Sequence, residues 1–316
     1  MNLTQFHHLP VLPANIVAIF KQNRAEIMFD GTVGGGGHAE MLLETGVGSQ
    51  MYIGIDRDPS ALVAAQARLE RFGSRVILRH RRFSDLENLL GELGVRAVDG
   101  LLVDLGASSP QLDVSERGFG FRTSGPLDMR MDPTSGRSLS DYLNVWSHDE
   151  LTVILRDLGE VPGAKMIAQK ILDSWTKGAL RTTGDLALLI ERAAPAALRK
   201  RKVSPATLVF QALRCAVNNE PEELAQLLVT IPRVVAPGGT VAVISFQSLE
   251  DRPVKHRFRE LTGKAAPPRG PAALLRATTP VLFEEITHKA ITPTAEECER
   301  NPRARSAKLR AIRRRM

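Results

Sequence analysis

Phe29-Asp30-Gly31-Thr32-Val33-Gly34-Gly35-Gly36-Gly37-His38-Ala39 decides how this chain is read. The apolar run Ile27-Met28-Phe29 has the composition of a buried strand, and Ala39-Glu40-Met41-Leu42-Leu43 is a run of helix formers. Strand, glycine turn and helix bring backbone N–H groups to a helix N-terminus, where they meet a nucleotide-like ligand. Four consecutive glycines raise the entropy cost of folding, so a stable domain carries them for a reason. The bland alternative is a surface turn.

A second apolar run, Met51-Tyr52-Ile53-Gly54-Ile55, ends in Asp56. An acidic residue about 20 positions after the glycine turn is placed to accept hydrogen bonds from ribose hydroxyls. Gly34-x-Gly36-x-x-Ala39 fits only the loose dinucleotide fingerprint. A nicotinamide dinucleotide and S-adenosylmethionine both suit this arrangement, and these residues do not choose between them.

Working outward, strands are expected at 27–30, 51–55, 75–80 and 99–104, with helices near 38–45, 59–72 and 84–93. Asp58-Pro59 supplies an N-cap and a first-turn proline for the second of these helices. Such alternation predicts a parallel sheet covered by helices on both faces, with ligands at the carboxyl ends of the strands. Asp30, Asp56 and Asp104 stand at those ends, and Phe83 follows the third strand. From about 113 to 215 the periodicity is helical (148–157, 163–174, 183–192 and 205–217), without a convincing strand. The sheet is expected to resume at Gly239-Thr240-Val241-Ala242-Val243-Ile244-Ser245, after the turn Pro237-Gly238. The fold class expected is therefore α/β: a Rossmann-like domain from residues 1–112 and 216–316, interrupted by an all-helical domain at 113–215. Residues 265–280, rich in Pro, Ala and Arg, read as a mobile loop. The basic C-terminal run reads as a solvated face, and alternation over 306–312 also allows a late edge strand.

Composition sets bounds. The chain has 316 residues, enough for one large or two modest domains, and 43% of them are hydrophobic. Lys and Arg total 42 against 35 Asp and Glu, a net charge of +7 that mildly favours a polyanionic partner. Two separated cysteines, Cys215 and Cys298, and seven histidines without ligand spacing give no sign of a disulfide framework or a metal site. His7-His8 reads as packing or solvated. No run approaches the roughly 20 apolar residues of a membrane span. The first residues lack the pattern of a signal peptide, so a cytoplasmic protein is expected.

After the fourth strand comes Asp104-Leu105-Gly106-Ala107-Ser108-Ser109-Pro110-Gln111-Leu112-Asp113. An exocyclic amine is a poor nucleophile because its lone pair is delocalised into the ring. Acceptors aimed at its N–H bonds localise that pair and stabilise the charge that develops. Asp104 suits this role, and Ser108 and Ser109 on the same loop offer further acceptors. With Glu116-Arg117-Gly118-Phe119, Gly125-Pro126-Leu127-Asp128-Met129-Arg130-Met131-Asp132, Phe210-Gln211-Ala212-Leu213-Arg214, Val217-Asn218, Ser248-Leu249-Glu250-Asp251-Arg252 and Asn301-Pro302-Arg303-Ala304-Arg305-Ser306, the chain resembles the RsmH (MraW) family from His8 to its end.

That resemblance implies a class I, S-adenosylmethionine-dependent methyltransferase. Its target is the N4 amine of a cytosine near the decoding centre of 16S ribosomal RNA, as naked RNA or in the 30S subunit. It also implies donor contacts at Gly36, Gly37, His38, Asp56, Phe83, Asp104 and Gln111, with no metal. On the residues alone, His38 reads instead as a helix cap. The oligomeric state stays open, a homodimer included. The chain departs from the family pattern at Gln247, usually histidine, at Leu208 and Val161, usually charged, and at Asn15. These departures keep open a non-catalytic or retargeted RNA-binding or ribosome-assembly factor, and a nicotinamide-dependent oxidoreductase remains a weaker alternative. Arg117 to Arg122 and Asp128 to Met131 read equally as a base-stacking loop and as a packing lid. Glu250-Asp251-Arg252 reads equally as an organiser of the site's rim and as a structural ion pair.

Overall fold

The computed structural model describes residues 9–200, 203–265 and 281–316. His7-His8 and, Ala265 apart, the expected loop at 265–280 lie outside them. The chain runs α1 (Pro13–Gln22), β1 (Ile27–Asp30), α2 (Gly37–Glu44), β2 (Met51–Asp56), α3 (Pro59–Leu69), β3 (Val76–His80), α4 (Leu86–Glu92) and β4 (Val98–Asp104). It continues with α5 (Ser109–Asp113), α6 (Leu139–Leu143), α7 (His148–Gly159), α8 (Ala164–Thr176), α9 (Thr183–Ala193), α10 (Ala196–Arg199), α11 (Pro205–Asn218) and α12 (Glu220–Val234). Then follow β5 (Val235–Ser245), α13 (Ser248–Leu261), β6 (Phe283–Glu285), α14 (Ala295–Arg300) and β7 (Lys308–Arg314). Two compact units result, Met1–Gly106 with Glu222–Met316, and Ala107–Pro221.

The first unit is built on a seven-stranded sheet of order β3-β2-β1-β4-β5-β7-β6. β1 to β5 are parallel, and β7 is antiparallel to both β5 and β6. This is an α/β, Rossmann-like fold. Period-2 alternation feeds two cores. Phe29, Ile53, Leu101, Val103 and Val243 face Leu86 and Leu89 of α4, Leu224 and Leu227 of α12, and Phe258 of α13. Met28, Tyr52, Leu102, Ala242 and Ile244 face Ile16 and Phe20 of α1, Leu42 of α2 and Leu69 of α3. With both faces covered, the strands read as near-continuous apolar runs.

Boundaries shift where local chemistry overrides periodicity. Asp58 caps α3 as expected, accepting from the Ser60 N–H at 3.0 Å. The α-helix stops at Leu69, short of 72, and tightens into a 3₁₀ turn over Glu70–Arg75 that Gly73 breaks at φ 63°. β5 starts at Val235, not 239, because Val98 pairs with Val235 before the register slips to Gly100 opposite Thr240. The slip accommodates Pro237-Gly238 as a bulge in the strand.

The late strand is not an edge. β7 lies inside the sheet, and the three-residue β6 covers its outer side. Nor is its charge wholly solvated. Arg310 donates to Asp251 of α13 through Nε at 2.7 Å and Nη2 at 3.2 Å, Lys308 Nζ lies 3.5 Å from the same carboxylate, and Arg314 donates to the Pro232 carbonyl at 2.9 Å.

The second unit packs Leu151 and Leu155 of α7, Ile167 and Ile171 of α8, Leu186 and Ile190 of α9, and Val209 and Leu213 of α11 into one core. Phe119, Met129 and Met131 are buried as well. Arg117 donates to the Arg130 and Met131 carbonyls at 3.0 and 2.7 Å, and Arg130 forms a two-pronged pair with Asp128. Asn218 accepts from the Met131 N–H and donates to the Met129 carbonyl, both at 2.7 Å. Two of the departing residues are packing residues: Val161 is buried in this core and Leu208 packs against it.

Asp251 and Arg310 are 12% and 15% exposed in their side chains, so removing one leaves the other unpaired in a largely dry site. Asp251→Ala should lower unfolding free energy by about 3 kcal/mol. Urea denaturation checks this, and a loss below about 0.5 kcal/mol would show the pair to be inert.

Candidate functional site

The site grows from the end of β1. Asp30 is buried, and its carboxylate accepts from the Thr32 N–H at 3.1 Å and the Tyr52 hydroxyl at 2.9 Å. Gly34 and Gly36 adopt φ 52° and 81°, the left-handed region that favours glycine, and Gly36 is the N-cap of α2. A Cβ on Gly37 would lie 2.9 Å from Pro10 Cγ, and one on Gly31 would lie 3.1 Å from Phe83 Cβ. Each glycine thus removes a clash or permits a turn.

Asp56 holds this turn from the tip of β2. One oxygen accepts from the Gly34 N–H and the other from the Asp58 N–H, both at 2.9 Å. Each oxygen keeps a second lone pair, so the carboxylate can also receive a vicinal diol. Phe83, half-buried, opens the turn after β3 beside Gly31. Asp104 at the tip of β4 donates its N–H to the Thr32 hydroxyl at 2.7 Å. Its Oδ2 lies 4.0 Å from His38 Nε2, and its buried Oδ1 has no hydrogen-bond partner among the described residues. His38 is not the cap expected from local sequence. Gly36 fills that position, and the His38 ring, 7% exposed, turns toward Asp104.

The next strand end adds Glu250. Its carboxylate accepts from the Phe246 N–H at 2.8 Å and from Gln247 Nε2 at 2.7 Å, ordering the start of α13. Within Glu250-Asp251, the first residue therefore organises the rim and the second makes the structural ion pair. Ser108, Ser109 and Gln111 belong to the second unit. There Ser108 caps α5: its hydroxyl accepts from the Gln111 N–H at 3.4 Å, and the Gln111 carboxamide accepts from the Ser108 N–H at 2.9 Å. The first unit thus gathers Gly36, Gly37, His38, Asp56, Phe83 and Asp104 around one turn. Thr32 joins them through the hydrogen bond its hydroxyl accepts from the Asp104 N–H, 72 positions away, and Glu250 through its charge near Asp104.

Electrostatics follow from burial. Desolvation pushes Asp30 up to about 7. Desolvation also raises Asp56 to about 6, against the lowering effect of its two backbone N–H bonds. Asp104 rises well above the ordinary carboxylate range, chiefly through desolvation and then through the charges of Asp30 and Glu250. Such a cluster favours a cationic ligand beside Asp104. Among the described residues no group of His, Cys, Asp and Glu is arranged to hold a metal ion, and no helix is long and apolar enough to cross a membrane.

Comparison with known proteins agrees along almost the whole chain. A sequence model of the MraW methylase family matches residues 5–315. A ribosomal RNA small subunit methyltransferase H of Anaeromyxobacter sp. (strain K) is 47% identical over 308 residues, 97% of both chains. Its counterpart in Trichlorobacter lovleyi is 45% identical over 310 residues, 98% of both chains. That of Heliobacterium modesticaldum is 44% identical over 308 residues, 97% of this chain and 98% of the relative.

A carboxyl group whose pKa is higher folded than unfolded stabilises the fold fully at low pH, and that contribution is lost as pH rises through the folded value. For Asp30 the window runs from the ordinary 3.8 to about 7. The wild type should therefore lose stability between about pH 4 and 7, and Asp30→Asn should flatten the loss. Urea titrations across that range provide the check, and parallel profiles would contradict the assignment.

Proposed function

Because the chain belongs to the MraW methylase family, we propose that it transfers a methyl group from S-adenosylmethionine to the N4 amine of a cytosine in small-subunit ribosomal RNA, in the cytoplasm. The observation that carries this reading is Asp104, a strand-end carboxylate whose buried Oδ1 has no partner among the described residues. The residues suit this donor. Asp56 accepts the ribose hydroxyls, Phe83 lies against the adenine, and the glycine turn lets the backbone approach closely. The acidic surroundings of Asp104 favour the donor's positive charge. When bound, S-adenosylmethionine supplies both an activated methyl group and its own leaving group.

Asp104 accepts a hydrogen bond from the target amine N–H, which localises the nitrogen lone pair and stabilises the charge that forms on attack, and its raised proton affinity lets it take the proton that the methylated nitrogen releases. The charges of Asp30 and Glu250 raise its proton affinity, the Thr32 hydroxyl anchors its backbone N–H, and His38 Nε2 stands 4.0 Å from its carboxylate. The exposed cations Arg122, Arg137, Arg303, Arg305 and Arg315 hold RNA phosphates, whereas Arg117, Arg130 and Arg310 serve the fold.

Transfer of label from tritiated S-adenosylmethionine to small subunits or naked RNA, followed by nucleoside mass spectrometry, tests this function, with N4-methylcytidine expected. A carbon-methylated product would overturn the reaction class, and the absence of transfer would favour a non-catalytic factor. Two substitutions separate binding from chemistry. Asp56→Ala should weaken donor affinity by roughly 1–3 kcal/mol in calorimetry. Asp104→Ala should lower turnover by about 10²-fold, with a smaller effect on donor affinity. For RNA affinity, the log–log slope against salt should be roughly −0.7 per phosphate contact, and neutralising Arg303 and Arg305 should make it shallower.

A further inference from the structure

The segment that carries Phe83 has three anchors, and two of them have no place in the chemistry above. The Arg81 N–H donates to the Asp56 carbonyl at 3.1 Å, which joins the segment to the tip of β2. Arg82 Nη1 donates to one oxygen of Glu223 at 3.0 Å, and the Ser84 hydroxyl donates to the other. The two residues flanking Phe83 therefore converge on a single carboxylate contributed by α12, 139 and 141 positions away in the chain. Glu223 is buried, with 6% of its surface exposed.

Packing alone does not account for a carboxylate at this position. Leu224, Leu227 and Leu228 of α12 already join Leu86, Leu89 and Leu90 of α4 in one apolar cluster. A buried charge beside them is costly unless its bonds do something an apolar side chain cannot. Here those bonds set the direction of the 82–84 backbone, and with it the placement of the Phe83 ring beside Gly31, where a Cβ would come within 3.1 Å of Phe83. We propose that Glu223 is a positioning residue for the methyl donor, acting through Ser84 and Arg82 to hold Phe83 in place for the donor's adenine. This rests on the donor reading given above. Glu223 touches neither the donor nor the target base in this scheme, so its effect falls on donor binding and leaves the methyl-transfer step alone.

Calorimetry with S-adenosylmethionine and steady-state kinetics at saturating RNA test the proposal on the full chain. Glu223→Gln and Ser84→Ala should each raise Kd and KM for the donor about three- to tenfold, with kcat at saturating donor within about twofold of wild type. Ser84→Ala keeps the Arg82 pair and carries the test if Glu223→Gln does not fold. In a Phe83→Ala background Glu223→Gln should have no further effect, because coupled residues are not additive. Equal weakening with and without Phe83 would reduce Glu223 to a general structural role and overturn the proposal, as would an unchanged Kd in both variants. Failure of the wild type to bind S-adenosylmethionine would instead overturn the donor reading itself, and this inference with it.

Discussion

The hydrogen bond from the Gly34 N–H to Asp56 Oδ2, 2.9 Å long, holds the site together. It pins the turn after β1 to the tip of β2, two strands that are already neighbours in the sheet. With that turn fixed, Gly36 can cap α2 in the left-handed region, His38 enters the first helical turn, and the Thr32 hydroxyl meets the Asp104 amide. The bond is short-range in space but spans 22 positions of chain, and the pairing of β1 with β2 brings its two ends together. The glycines let the turn adopt the conformation that this pairing requires.

The same parallel pairing explains the electrostatics. Strands running one way deliver their last residues to one edge of the sheet, and here those residues are Asp30, Asp56 and Asp104. Burial raises the proton affinity of all three, and neighbouring acids add to it: Asp56 at Asp30, Asp58 at Asp56, and Asp30 with Glu250 at Asp104. A cationic group placed beside Asp104 would lower that proton affinity.

Elsewhere the basic side chains divide by their partners. Arg310 and Arg314 brace β7 inside the sheet, and Arg117 and Arg130 hold the entry loop of the helical unit through backbone carbonyls and Asp128. An arginine fixed in this way has fewer donors left for a phosphate. Part of the net positive charge is therefore committed to the fold rather than displayed on the surface.

The order of strands and helices, the glycine turn, the Asp58 cap and the strand-end aspartates were all legible in the sequence, because each follows from periodicity or from a residue's own backbone preference. Long words such as the Asp104 block carried the family. What periodicity could not convey was anything that depends on a distant partner. The place of β7 inside the sheet, the three-residue β6, Asp251 bound to Arg310 59 positions away, the His38 ring turned toward Asp104 and Glu223 gripping the turn of Phe83 belong to the tertiary structure. A hydrogen bond between residues far apart in the chain leaves no spacing to read, and only packing the sheet against its helices brings the two ends together.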